Sequence, residues 1–473
     1  MPTSRCLTRS ACAHADTVRR IRDDIGDDAQ WLAALGAALL LERLGSIVSS
    51  EETDTRVNPN AREKEKEKYA RLSGYVASLP VRERNVVASW PETRRRFLAG
   101  TDVERALRCE RAAAKREWDG CVESHVTEAA LRDGFSSPSS KTFLTFERYL
   151  DARSVVSSRA FFVTDEIGPG LVPIADLFNH RTGGNHVVMR LADPPGDGGV
   201  KLGDGGAPPQ TLSAVVVKRA RQGDEVFNTY GTLGNATLLN SYGFTQKNNP
   251  ADAVSVSVPD VRAAAALRAA RGGAVAKRLA ACFESTRAPF QEHALFPLRR
   301  GIEPPTALLV ALWAVTATDE AFANAEREVA EARTDAGGTG TERNAAASDD
   351  AAAALWRAAA ERGRPGVSGA IVTAATAEVF LEILDRRRRM YVDVPVDARE
   401  DAPSDAETET WRSSLKVLVE SELAIIDAHA AETKRRLAAI RGVVVAEDED
   451  DAKRREKRRV VALPAADPFA LFD

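Results

Sequence analysis

The stretch Leu171-Val-Pro-Ile-Ala-Asp-Leu-Phe-Asn-His180, followed by Glu225-Val-Phe-Asn-Thr-Tyr-Gly231 and Leu239-Asn-Ser-Tyr-Gly-Phe244, constrains this chain more than any other feature. Each run is largely apolar, and each is interrupted by polar groups: Asn179 and His180, then Tyr230, then Tyr242. A polar group placed in a core costs free energy unless a partner satisfies it. Three such interruptions within one short region point to a site.

The surroundings of these runs read as strand and turn. From about residue 155, short β-branched runs appear at Val187–Val188, Leu212–Val217, Val226–Phe227 and Val254–Val258. Gly/Pro/Asp loops separate them, as in Asp193-Pro-Pro-Gly-Asp-Gly-Gly199. Before this region the pattern is helical. Trp31, Leu32, Leu35, Leu39 and Leu44 fall on helical spacing, residues 92–122 carry sparse apolar positions at helical intervals, and Phe143, Phe146, Tyr149 and Leu150 share one side of a helix over about 142–153. The charged stretch 51–68 reads as a solvated loop or helix face. From about 260 the chain turns alanine-rich, predicting helices over 260–283, 306–330, 351–363, 371–388 and 410–440. A Gly/Thr/Asp-rich insertion is expected at about 332–350. From Ala446 an acidic run, the basic run Lys453–Arg459 and a short end predict a mobile tail.

Composition narrows the class. The 473 residues, 44% hydrophobic, allow two or three domains with a large core. Sixty-five basic residues stand against 69 acidic ones, a net −4, so no global field draws the chain to nucleic acid and nucleic-acid binding is not expected. The basic run 453–459 reads as a solvated tail or a nuclear address. The five cysteines show no CxxC pairing, which argues against a disulfide framework or a zinc cluster and for a reducing compartment. The apolar run from Trp31 to Leu41 is too short to cross a bilayer. The sequon Asn235-Ala-Thr237 reads as chance.

The blocks around Asn179-His180, Tyr230 and Tyr242 resemble the signature blocks of SET-domain protein methyltransferases, in the branch that includes Rubisco large-subunit methyltransferase. The resemblance implies an α+β fold: a β-rich SET core of short sheets with a helical insertion, followed by an all-α C-terminal domain. The domains expected are a SET domain over 1–258 with its insertion at about 30–150, a helical substrate-binding domain over 259–441, and a charged tail over 442–473. It also implies S-adenosyl-L-methionine as cofactor, no metal, and a non-histone protein substrate whose lysine is methylated.

The residue roles come from the same resemblance. Tyr230 matches the catalytic tyrosine; read on its own, without the surrounding motif, it is a core tyrosine with its hydroxyl on a carbonyl. Asn179 and His180 match the pair that meets adenosine, beside a knot-like crossing of the chain. Arg159 matches a cofactor-binding position near the methionine part, or is an ordinary surface arginine. Tyr242 matches a channel wall and Phe244 an adenine-stacking ring, against the plain reading of two core aromatics at a turn. Asp176 is read as structural.

Two departures stand out. The family opens with a strand and Gly-x-Gly turn that this chain lacks, since Pro2-Thr-Ser-Arg-Cys-Leu-Thr8 resembles the segment after it; we read the sequence as incomplete there. A tyrosine that some relatives carry after the Asn-His block is absent; the nearest candidate, His186, is expected to face solvent. The leading expectation is a lysine N-methyltransferase, with a histidine methyltransferase or a non-catalytic protein-binding module as alternatives. A monomer is expected, and the compartment is left open between cytosol, nucleus and plastid.

Overall fold

The computed structural model describes residues 6–8, 11–26, 30–50, 59–135, 142–164, 167–192, 211–268, 277–279, 281–282, 295–336, 373–391 and 406–442. The expected helix over 351–363, the mobile tail and most of the Gly/Thr-rich insertion lie outside them. The architecture is mixed α+β, as expected: long helices with small antiparallel sheets. The chain divides into two compact units, one of Met1–Arg96, Val103–Pro250 and Asp397–Val417, the other of Phe97–Asp102, Ala251–Val396 and Leu418–Asp473.

The first unit is built around the helix Gln30–Ser50. Ala33 through Leu41 carry no charged side chain, and the apolar residues among them are buried all round. A helix that is apolar on every side needs partners on every side. It has them in Ala15–Ile25, Pro59–Ser78 and Phe146–Arg159, all contributing to one core. Gly36 lets the last of these approach closely: a Cβ there would lie 3.2 Å from the Tyr149 ring. The region read as sparse helix is a helix Asp102–Glu117 that continues through one π-helical turn, Trp118–Val122, into Glu123–Arg132. Such turns widen a helix locally, and here Trp118 and Val122 go into the core. Thr145 caps the helix Phe146–Arg159, accepting the Arg148 N–H, which explains why it starts later than the apolar spacing alone predicts.

That helix runs into the sheet that carries the site. Strands β1 (Leu7–Thr8), β2 (Ala160–Thr164) and β3 (Gly168–Leu171) form an antiparallel sheet in the order β1-β3-β2. Gly170 opposes Thr8, whose Cγ2 a Cβ at 170 would meet at 2.8 Å. Strands β4 (Val187–Ala192) and β5 (Thr211–Val216) form an antiparallel pair. The run Val226–Phe227 is not a strand. It is an extended segment whose ladder is limited to one bridge, at Asn228.

The second unit is helical apart from one antiparallel pair, β6 (Val254–Ser257) with β7 (Leu295–Leu298). Its helices Val258–Arg268, Thr306–Thr316, Asp319–Ala336 and Ala374–Arg389, with the later part of Ala406–Ile440, enclose an apolar core that includes Phe296, Trp313, Phe380 and Ile426. The single helix predicted over 306–330 is two helices. Thr318 starts the second, its Oγ1 accepting the Ala321 N–H. The second helix runs to Ala336, so the start of the expected insertion is helical. No helix among the described residues is long and apolar enough to cross a membrane.

Candidate active site

Strand β3 leaves the sheet through Val172-Pro173 into a tight turn at Ile174. This β-branched, largely exposed residue has a φ of 73°. A branched side chain in that conformation is strained, and strain of this kind concentrates at functional sites. The turn Ala175–Leu177 follows, then Asn179 and His180. His180 forms a parallel bridge with Asn228. The Asn228 N–H donates to the Asn179 carbonyl (2.8 Å), and the Arg181 N–H donates to the Asn228 carbonyl (3.1 Å). Two distant segments are thereby laid side by side.

The side chains follow from that pairing. Along an extended chain, alternate residues share a face, so Asn228 and Tyr230 project to the same side as His180. The Tyr230 N–H donates to His180 Nδ1 (2.9 Å), and the two rings stack at 5.0 Å. A π-helical turn, Leu238–Tyr242, presents Tyr242 to Tyr230, with ring centroids 4.7 Å apart. Phe244 lies 6.1 Å from His180 and 6.4 Å from Tyr242. The structure thus brings His180, Tyr230, Tyr242 and Phe244 into one ring cluster. Gly243 makes the turn possible: its φ is 78°, and a Cβ would lie 2.6 Å from the Asn85 backbone. Gly243→Ala is expected to destabilise the protein by about 2–4 kcal/mol, from left-handed strain plus the clash, as read by urea unfolding.

Burial sets the protonation states. The Tyr230 hydroxyl donates to the Phe178 carbonyl (2.6 Å), and burial, with Tyr242 beside it, pushes the phenol up to about 12. Tyr230 is therefore a neutral donor at physiological pH. Burial pushes His180 down to about 4. With Nδ1 accepting, the ring proton sits on Nε2, which donates to Thr182 Oγ1 (2.8 Å). The folded value lies below the unfolded one, so between them the unfolded chain binds more protons. Stability is then expected to fall as pH drops from about 6.5 toward 4, by at most about 3 kcal/mol, and to level off below. Urea titrations of wild type and His180→Gln across that range measure the difference, which should shrink at low pH.

Arg159 and Asn179 sit differently. Arg159, at the end of its helix, donates through Nε to Glu83 (2.6 Å) and through Nη1 to Asp176 (3.4 Å). Desolvation lowers its affinity for a proton, but these two carboxylates outweigh that and hold its pKa above the usual value. Asp176 Oδ2 also accepts from the Tyr75 hydroxyl (3.0 Å). The same Arg159, Asp176 and Glu83 charges bear on the Tyr230 phenol. Asn179 is exposed, its amide donating to Glu225 (2.6 Å), while its carbonyl is taken by the bridge.

No family model matches the chain. Comparison of folds gives the SET domain of Rubisco LSMT, from a structure bound to lysine and AdoHcy, with a TM-score of 0.58 at 15% identity over 100% of this chain and 87% of that one. Rubisco LSMT bound to AdoMet gives a TM-score of 0.57 at 14% identity, over 98% and 86%. The chain has the SET fold. Among curated proteins it is similar to the ribosomal lysine N-methyltransferase set10 of Schizosaccharomyces pombe, 27% identical over 190 residues, 39% of this chain and 30% of that protein. It is also similar to the N-lysine methyltransferase SETD6 of Mus musculus, 28% identical over 184 residues, 37% and 35%. The match spans about a third of the length of these curated relatives.

Within this SET fold, several residues matter that sequence reasoning passed over. Asn228 is 1% exposed, and its Nδ2 is buried with no hydrogen-bond partner. A buried donor without an acceptor costs about 1–3 kcal/mol, which makes it a marker of function. Its position two residues before Tyr230 on an extended segment was the available signal. Glu83 and Tyr75 reach the site from far away in sequence, and no local pattern announces them. His186, expected to face solvent, is half-buried: its Nδ1 accepts the Phe227 N–H (3.2 Å), and its ring stacks on Phe227. Asn235 of the sequon is fully buried and exchanges hydrogen bonds with the Gln246 backbone, while Gln246 Oε1 accepts the Thr182 N–H. It braces the loop after His180. Among the described residues no group of three or more His, Cys, Asp or Glu could hold a metal ion.

Proposed function

We propose that this chain is an S-adenosylmethionine-dependent protein-lysine N-methyltransferase. The observation that carries the reading is the convergence of His180, Tyr230, Tyr242 and Phe244 in a SET fold. The residues fit the cofactor in kind. Phe244 and Tyr242 offer ring faces for a purine, and the Asn228 amide lacks an acceptor. Asn179 and His180 would hold the adenosine part. Arg159, already shared between Glu83 and Asp176, would position those carboxylates next to the methionine part.

When bound, the cofactor supplies a methyl group on a positively charged sulfur. A lysine nitrogen would have to be neutral before it could accept that methyl group. Free lysine holds its proton to about pH 10.4, so the chain must lower that value by excluding water. Tyr230 is suited to align rather than to deprotonate. Its phenol stays protonated, is fixed by the Phe178 carbonyl, and keeps oxygen lone pairs to turn toward an amine. Alignment of the two reactants supplies much of the rate. On this reading the helical unit holds the protein substrate, as expected from the sequence.

The test is incubation of cell lysate with radiolabelled S-adenosylmethionine and the purified protein, followed by acid hydrolysis of labelled bands. Label in methyl-lysine is expected. Label in methyl-histidine would replace the acceptor, and no label with a folded protein would favour a binding module.

A further inference from the structure

A cavity of about 130 Å³ lies in the first unit beside the π-helical turn that carries Tyr242. It is comparable to cavities that take a benzene ring. Its apolar lining includes Leu32, Val86, Leu107, Ala114 and Leu150. Some of its polar groups are uncommitted. The hydroxyls of Ser157 and Ser241 make no hydrogen bond among the described residues, and Asn240 uses only its amide nitrogen, on Glu110 (2.8 Å), leaving Oδ1 without a donor. Two lining cations are paired, Arg111 with Glu147 and Arg153 with Glu117, and the Glu110 carboxylate accepts from Asn240.

Its walls are tied to the ring cluster by chain continuity. Ser241 precedes Tyr242, Ser157 lies two residues before Arg159, and the segment that supplies Val86 also supplies Glu83, the partner of Arg159. Apolar side chains together with a free amide oxygen and free hydroxyls suit a group with an aliphatic body and an amide N–H at its base. We infer that this cavity binds one apolar side chain of an extended polypeptide, with the main-chain N–H of that residue on Asn240 Oδ1. Resting on the function proposed above, that residue flanks the methyl-acceptor lysine of the protein substrate, so the cavity selects sequence around the target.

Two measurements on the full chain test this. N-acetyl-leucinamide, titrated while the methyl resonances of Leu107 and Leu150 are followed by NMR, should bind saturably, and N-acetyl-glycinamide should not. Leu107→Trp and Ala88→Phe, which fill the cavity from its wall and its rim, should each weaken that binding by about tenfold or more. Two variants are used so that one which fails to fold leaves the other to decide. A pool of lysine heptapeptides with labelled S-adenosylmethionine should show leucine preferred over glycine at one fixed flanking position, by about tenfold in kcat/KM, and the filled variants should lose this preference. Absence of saturable binding, binding untouched by both variants, or labelled peptides without apolar preference would overturn the inference. Binding of N-acetyl-leucinamide together with no labelling of any peptide would leave the cavity a binding site and sink the methyl-transfer reading instead.

Discussion

Tyr230→Phe is expected to lower lysine methylation by about 10²-fold or more, while leaving the fold and the binding of S-adenosylhomocysteine nearly intact. The substitution removes one oxygen and nothing else. That oxygen donates to the Phe178 carbonyl, and its ring is held between His180 and Tyr242. The ring contacts survive in phenylalanine, so the stability loss should stay near the about 1 kcal/mol of one hydrogen bond plus an unpaired carbonyl. A core tyrosine without a role in transfer would show that stability loss alone, with activity unchanged. The comparison of initial rates with unfolding free energies, measured on the same preparations, separates the two.

Asp102→Ala is expected to cost the second unit about 3–5 kcal/mol, among the largest stability losses in the chain. Asp102 accepts from the buried guanidinium of Arg387 (2.5 Å) and from the Ser255 N–H (2.7 Å), while its own N–H donates to Glu422 (3.3 Å). Glu422 in turn accepts from the Tyr391 hydroxyl (2.6 Å), and burial pushes it up to about 8, so it is largely uncharged at neutral pH. Asp102 is thus the carboxylate that directly hydrogen-bonds the Arg387 cation. Removing Asp102 deprives the buried Arg387 of its directly bonded counter-charge. Replacing both partners by apolar residues, Asp102→Leu with Arg387→Met, should recover most of the loss, because it is the lone charge and not the missing attraction that is costly. Urea unfolding of the three variants checks both statements.

What the sequence revealed depended on the range of the interaction involved. The helix Gln30–Ser50 was legible because Trp31, Leu32, Leu35, Leu39 and Leu44 fall on helical spacing, and the helix Asp319–Ala336 could have been separated from its predecessor, since Thr318-Asp319-Glu320 is a cap followed by an acidic first turn. The segment at Val226–Phe227 looked like a strand because its residues are β-branched and aromatic, yet its partner offers only the single bridge at His180. His180, Tyr230, Tyr242 and Phe244 were each singled out through family likeness, and the structure brings their rings together. Their supports Glu83 and Tyr75 were not, because they act through contacts with residues remote in the chain, which composition and periodicity do not encode. The bond from Tyr230 to a carbonyl is also what the plainer reading of that residue foresaw, so the hydrogen bond alone does not argue for catalysis; the neighbouring rings do.

The claim on which all of this rests is that the rings around His180 form a seat for a methyl donor. Calorimetric titration of S-adenosylhomocysteine into the folded protein tests it most directly. Saturable binding, weakened about tenfold or more by Phe244→Ala, is the predicted result. A folded wild-type protein that takes up no S-adenosylhomocysteine, or one whose binding is indifferent to the loss of Phe244, would contradict it.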